Sequence, residues 1–205
     1  MPKGSPERTA ARKEEIISAC EKLYQTMSFK DITLKEIGKE TSFSRPTIYN
    51  YFQTKEEIFL ALFEREYIRW NEKLQSVLQN NETLTKEQIA EKLALSLADR
   101  EQLLKLLAMN NYDMEANSRF ENLTSFKIAY GESMRNVCRI LTKFCPDKSV
   151  QDIQNIIYIF FPFMFGIYPY TAVTDKQREA MKEANVDYVY QSIFEITNHC
   201  LLKLL

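Results

Sequence analysis

The side chains with the most pointed chemistry lie together in residues 33–55, which read TLKEIGKETSFSRPTIYNYFQTK. In its second half Arg45, Pro46, Thr47, Tyr49, Asn50 and Tyr51 fall on the outward side of a short helical pattern, while Ile48 and Phe52 fall on the inward side. An arginine can bond a guanine edge through two of its nitrogens, and a threonine methyl or proline ring can meet a thymine methyl. Tyrosine hydroxyls, and Lys55 at the start of the next helical pattern, suit phosphate oxygens. Two tyrosines on an exposed short helix are costly unless something covers them. This is chemistry for reading duplex DNA rather than for making or breaking bonds.

The rest of the composition weighs against most enzymes. His199 is the only histidine among 205 residues, so a multi-histidine metal site is impossible and a Ser-His-Asp triad would hang on a residue six from the C-terminus. The glycines, Gly4, Gly38, Gly131 and Gly166, are too far apart for a phosphate-cradling loop. No metal and no cofactor is expected. Cys20, Cys138, Cys145 and Cys200 form no CxxC pair and read as reduced, partly buried core residues of a cytoplasmic protein. The N-terminus leads straight into charged residues, without the apolar run of a signal peptide.

Net charge is −1, with 45% apolar and 27% charged residues, the balance of a globular chain. The charge is unevenly spread. Residues 1–55 hold ten Lys and Arg against seven Asp and Glu, a balance of +3 that leaves −4 on the remaining 150. A basic end on an acidic chain points to a polyanion partner for that end.

The elements that must carry these groups read as helical nearly everywhere, so the expected fold class is all-α. Ile16, Cys20, Leu23 and Met27 recur at helical spacing in a first helix of about five turns. Ser or Thr followed three residues later by Glu or Gln marks further helix starts at Thr33, Thr54, Thr85 and Thr174, with Ser149 and Asp152 a looser version. Residues 119–144 read as one long helix and residues 186–204 as the last. In residues 33–55 a helix runs to about Thr41, a tight turn follows at Ser42 and Phe43, and a second helix starts at Ser44, expected to cap the amide of Thr47. Two short helices joined by a tight turn make a helix-turn-helix. Leu34, Ile37, Phe43, Ile48 and Phe52 face inward, and Gly38 allows close helix approach.

This segment, with the helices around it, resembles the DNA-binding domain of TetR-family transcriptional regulators. Phe29, Ile32, Thr33, Ile37, Ser44, Thr47, Ile48, Tyr49, Tyr51, Phe52, Lys55, Glu56, Glu57 and Ile58 match the family pattern over roughly the first 60 residues. The turn departs from it: Thr41-Ser42 stands where the family usually has Ala-Gly, at a cost of about 1 kcal/mol if Ser42 adopts positive φ. The resemblance implies base contacts from Lys35, Arg45, Pro46 and Thr47, with Asn50 beside them. It implies phosphate contacts from Thr33, Ser44, Tyr49, Tyr51 and Lys55. Arg8 and Arg12 read as solvated charge. The implied organisation is a disordered tail over 1–8, a helix-turn-helix domain over 9–55, and an effector-binding and dimerisation domain over 56–205.

In such regulators the C-terminal body dimerises through its last two long helices and often encloses an effector pocket. Here the last helical pattern carries two apolar stripes, Val189, Ile193, Ile196 and Cys200 beside Tyr190, Phe194, Thr197 and Leu201. Residues 156–173, IIYIFFPFMFGIYPYTAV, are long enough to span a bilayer, but Pro162, Pro169 and the flanking Asp152 and Asp175 favour a bundle helix, and no membrane partner is expected. Phe63, Tyr67, Trp70, Met109, Tyr112, Phe126, Tyr130, Met134, Tyr158, Phe161 and Phe165 are the candidate lining of an effector pocket for a small apolar or aromatic molecule. The expected function is a homodimeric regulator, most often a repressor, that binds a palindromic operator and is released by that molecule. The alternative is the same DNA head controlled by a protein partner, with no small-molecule pocket.

Overall fold

A computed structural model describes residues 5–109 and 111–205. Among the described residues the regular structure is helical, as the periodicity predicts: α1 (Pro6–Thr26), α2 (Leu34–Lys39), α3 (Arg45–Ile48), α4 (Lys55–Gln79), α5 (Lys86–Ala98), α6 (Glu101–Leu107), α7 (Asn111–Ala116), α8 (Phe120–Phe144), α9 (Val150–Thr171), α10 (Asp175–Glu183) and α11 (Ile193–Leu204). The reciprocal Ser/Thr and Glu/Gln/Asp caps form at α5, α9 and α10, where Thr85, Ser149 and Thr174 accept from the third helical amide. Each such cap contributes about 1 kcal/mol to its helix start.

Both ends differ from the expectation. Residues 1–4 of the expected 1–8 tail lie outside the described residues, and the remainder is already helical: Pro6 opens α1 and Ser5 accepts from the Arg8 amide. Proline is favoured at this position because the first helical amides have no partner within the helix. The last helix starts at Ile193 rather than near residue 186. Asn185 sits at φ 52° and ends α10, where the Val186 amide reaches back to the Met181 carbonyl. Asparagine tolerates this left-handed conformation and halts the helix. Residues 186–191 then run without regular structure until Ser192 and Glu195 form a further reciprocal cap.

The chain divides into two compact units, residues 1–65 with 110–128 and residues 66–109 with 129–205. The division expected at 55/56 therefore moves ten residues along α4, and α7 with the first turns of α8 joins the N-terminal helices. The first unit buries Ile16, Ile17, Cys20 and Tyr24 of α1 with Ile32, Ile37, Ile48, Phe52, Ile58, Phe59 and Leu62. Phe59 is met edge-on by Tyr24 at 5.1 Å and by Phe29 at 4.7 Å. Arg65 of α4 holds α1 by Glu14 at 3.2 Å, Ser18 at 2.9 Å and Glu21 at 2.8 Å.

In the second unit α11 packs on α5 and α9, and α6 packs on α9. Trp70 is fully buried, and its indole N–H donates to Ser96 at 2.9 Å, which donates in turn to the Leu93 carbonyl at 2.7 Å. Asn136 donates to Asn71, which donates to the Ala129 carbonyl, so this polar interior is hydrogen-bonded. Among the described residues α9 is the one helix long and apolar enough to cross a membrane. Its Ile153, Ile156, Ile157, Phe160, Phe161, Met164 and Ile167 face the interior of this unit. Cys20 and Cys145 are buried free thiols, and burial pushes the Cys20 thiol up to about 12, where it is unreactive.

Gly38 does not need to be glycine for space or for backbone conformation. Its φ is not positive, and an added Cβ would lie 3.6 Å from Arg45 Cβ and Ile48 Cδ1, ordinary contact. Gly38→Ala is expected to stabilise the protein by about 0.4–1 kcal/mol, through helix propensity and a less free unfolded chain. Denaturant melting checks this; a loss of stability would mean α2 and α3 approach more closely than these distances.

Candidate nucleic-acid interface

The recognition segment is too short to hold itself. A four-residue helix has almost no internal hydrogen bonds, so α3 depends on what surrounds it. Ile48 and Phe52 are buried, and the Tyr51 and Phe52 amides donate to the Ile48 carbonyl at 2.8 and 3.0 Å. What stays outward is the set expected from the sequence: Arg45, Pro46, Tyr49 and Asn50 are exposed, and Thr47 and Tyr51 are half-buried. Thr33, Leu34, Lys35, Arg45, Lys55 and Glu56 line one open cleft, which brings the starts of α2, α3 and α4 together.

Several details depart from the sequence reading. Ser44 occupies the cap position of α3, but its side chain caps no amide: the Thr47 amide donates to the Ser44 carbonyl at 2.8 Å, and the Ser44 and Thr47 hydroxyls lie 3.3 Å apart. Pro46 offers no amide, and the tight turn brings the carbonyl rather than the hydroxyl to Thr47. Ser42 does not adopt positive φ, so the feared backbone strain is absent. The Glu15 carboxylate accepts from the Ser42 amide instead, and the Thr41 hydroxyl donates to the carbonyls of Gly38 and Phe43 at 3.1 and 3.0 Å.

Arg12 is not simply solvated. Its guanidinium donates to the Tyr51 hydroxyl at 3.1 Å and lies 5.8 Å from the Phe43 ring centre. Arg45 does the same for Tyr49, at 3.0 Å to the hydroxyl and 5.7 Å to the ring centre. Both tyrosine hydroxyls accept from arginine, which leaves each O–H able to donate to an anionic oxygen. Lys55 is largely committed within the protein: its ammonium donates to the Phe29 carbonyl at 2.8 Å and the Ile32 carbonyl at 3.3 Å, and sits 4.2 Å from the Phe29 ring centre. An ammonium has three hydrogens, so one at most remains for a phosphate.

Two anchors went unread in the sequence. Glu57, 1% exposed, receives Arg119 Nε at 2.7 Å and Nη2 at 3.0 Å, with the backbone amides of Gln53 and Arg119 at 2.7 and 3.0 Å. Burial pushes the Glu57 carboxyl up, but Arg119 and the two amides outweigh it and hold it below its ordinary value. The other is Glu15, lowered chiefly by the Ser42 amide; Glu36, at the start of α2, is lowered chiefly by the Thr33 hydroxyl. Glu57 carried a signal as the last residue of the Thr54 cap pattern, whereas Arg119 had none, because only the fold brings it there.

The candidate effector lining draws on residues of both units. Phe63 packs on Phe126 at 4.9 Å in the first unit. Tyr67, Trp70, Tyr130 and Phe161 form a ring cluster in the second, with centres 5.5–6.3 Å apart. Tyr112, Tyr158 and Phe165 are 85%, 70% and 42% exposed and line no interior; Met109 and Met134 are half-buried. The exposed ones sit on the outer face of their helices, a register the apolar count could not resolve. Buried polar atoms without a hydrogen-bond partner include Thr197 Oγ1 and Asn198 Oδ1 on α11.

A helix-turn-helix head followed by a larger helical domain defines a DNA-binding transcriptional regulator. The family described as "Bacterial regulatory proteins, tetR family" matches residues 16–62, and "Tetracyclin repressor-like, C-terminal domain" matches residues 64–191. The chain belongs to the TetR family of transcriptional regulators. YfiR of Bacillus subtilis, an HTH-type transcriptional regulator, is 33% identical over 63 residues, 31% of this chain and 31% of that protein. The chain thus spans about a third of the length of that relative. A protein of Mesorhizobium loti assigned to the TetR-family regulators superposes with a TM-score of 0.65 at 16% identity, covering 97% of this chain and 96% of that one. The regulator FadR of Bacillus subtilis, in complex with stearoyl-CoA, superposes with a TM-score of 0.59 at 19% identity, covering 93% and 96%.

The carboxyls of Glu57 and Glu15, both held below their ordinary values, predict a head that loses stability in acid. A carboxyl held below its unfolded value, about 4.3 for Glu, contributes stability above that value and loses it as pH falls through the folded one. Glu15→Gln is therefore expected to melt lower than the unaltered protein at pH 7 and to converge with it below about pH 4. Thermal melts across pH check this; a gap that persists at low pH would show that the charge of Glu15 is not what holds the turn.

Proposed function

We propose that this regulator binds a palindromic operator as a homodimer and represses from it, as a cytoplasmic protein released by a small molecule. One observation carries the DNA reading: Arg45, Pro46, Tyr49 and Asn50 stand exposed on a segment whose Ile48 and Phe52 are buried, beside a cleft that also holds Thr33 and Lys35. Arg45, Pro46, Thr47, Asn50 and Lys35 read bases. Thr33, Ser44, Tyr49 and Tyr51 hold phosphates, with the remaining hydrogen of Lys55 as a lesser contact.

Selection from random DNA, then binding of variants, tests the assignment. Arg45→Ala is expected to cost about 1–3 kcal/mol on the selected sequence and to relax preference at one base position per half-site. Tyr51→Phe, whose hydroxyl is held by Arg12 rather than by a base-reading residue, should weaken all sequences alike. Equal losses on selected and scrambled DNA for Arg45→Ala would remove its base-reading role.

The homodimer reading rests on α9. Its Tyr158, Ile159, Phe165 and Tyr170 are 70%, 52%, 42% and 58% exposed on the outward half of the helix, large apolar side chains of the kind partners cover. Ile159→Glu is expected to give monomers in sedimentation and to abolish protection of paired half-sites. A dimer that survives this change would place the interface elsewhere.

The effector reading is supported by the aromatic cluster of the second unit, whose rings suit an apolar or aromatic molecule. The structurally similar FadR is in complex with stearoyl-CoA, whose acyl chain is apolar while its CoA part is anionic. Release requires that the molecule prefer the DNA-free state, and by linkage DNA must weaken its binding by the same factor. The tight packing of Tyr67, Trp70 and Phe161, each at most 3% exposed, favours the second reading, control by a protein partner.

A further inference from the structure

Within the first unit one side chain reaches the recognition segment from far along the chain. Arg119 stands between α7 and α8, and its Nη2 donates to the Tyr51 carbonyl at 3.0 Å across 68 residues. That carbonyl belongs to the turn in which the recognition helix ends. The same guanidinium holds the Glu57 carboxylate through Nε and Nη2, and Glu57 in turn accepts the Gln53 amide at 2.7 Å. Beside it the Thr54 hydroxyl donates to the Asn117 carbonyl at 3.0 Å. Residues 51–57 and 117–119 are therefore joined at both edges.

The fork geometry matters. A guanidinium presents its donors in one rigid plane, so a carboxylate and a carbonyl held by it have a fixed separation. The carboxylate is buried while the arginine is 36% exposed. Removing the arginine leaves a buried anion and an unpaired carbonyl at the end of a four-residue helix that cannot hold its own register.

We propose that Arg119 is a positioning residue for DNA binding: by clamping the Tyr51 carbonyl to Glu57 it sets the orientation of the recognition helix without touching DNA. The proposal rests on the DNA-binding reading above. It also gives residues 117–119 a task in recognition, namely carrying the clamp.

The test compares Arg119→Gln and Arg119→Lys with the unaltered protein. Three quantities are measured: affinity for a selected operator and for a scrambled fragment of equal length, the salt dependence of both, and amide exchange in the DNA-free protein. For Arg119→Gln the operator affinity is expected to fall about tenfold, with little change on the scrambled fragment and the salt slope unchanged, since no phosphate contact is lost. Exchange at the Gln53 amide should rise by about the same factor, because an amide held only in the clamped arrangement is protected by it. Arg119→Lys should be intermediate, as one ammonium cannot reproduce the planar fork. If Arg119→Gln fails to fold, Arg119→Lys, which keeps a cation against Glu57, carries the same comparison.

A salt slope lower by about one on both fragments would overturn the proposal, because Arg119 would then be a phosphate contact. So would faster exchange at Gln53 with full operator affinity, which would make the clamp purely structural. Unchanged exchange with unchanged affinity would also overturn it. An unaltered protein that binds neither fragment would instead bring down the DNA-binding reading, and that failure is seen before any variant is made.

Discussion

The recognition helix has four residues, and everything about the head follows from the fact that so short a helix cannot be stable by itself. It must be seated from outside. Ile48 and Phe52 seat it from below by burial. Glu15 of α1 holds the turn before it through the Ser42 amide, and Arg119 with Glu57 holds the turn after it. The outward residues have their orientation because the backbone beneath them is pinned at both ends.

The same economy governs the charged groups. Arginines of the head do two jobs at once: Arg12 and Arg45 each lie against an aromatic ring while donating to a tyrosine hydroxyl. The planar guanidinium can stack and donate together, which a lysine ammonium does less well. Lys55 illustrates the contrast. Its compact charge is drawn to the carbonyls of Phe29 and Ile32, closing the connection between α1 and α2. A basic residue beside the proposed DNA contacts is thus not by itself a DNA contact, and a single deletion at Lys55 would confound stability with affinity.

The second unit shows a different balance. Its interior places aromatic rings against one another and satisfies its tryptophan and two asparagines with internal hydrogen bonds. Its α9 splits into one buried and one exposed apolar face. A helix apolar all round normally marks a position covered on both sides, and this one shape feature accounts both for its bilayer-like composition and for the dimer reading.

The sequence by itself determined the all-α class, the helix-turn-helix and most helix starts, because these depend on local signals: apolar spacing, Ser or Thr caps and the Pro46 turn. The outward set at Arg45, Pro46, Tyr49 and Asn50 was legible for the same reason, since a short helix has only one inward side. The tertiary structure alone decided which partner each polar group takes. Arg119 meets Glu57 across 62 residues, and no periodicity announces such a meeting. It also decided that, of the aromatic residues read as one pocket, Phe63 packs on Phe126, Trp70 and Tyr130 pack on Phe161, and Tyr112, Tyr158 and Phe165 are exposed. Apolar character is written in the chain, but which face of a long helix turns inward is set by the helices that pack against it.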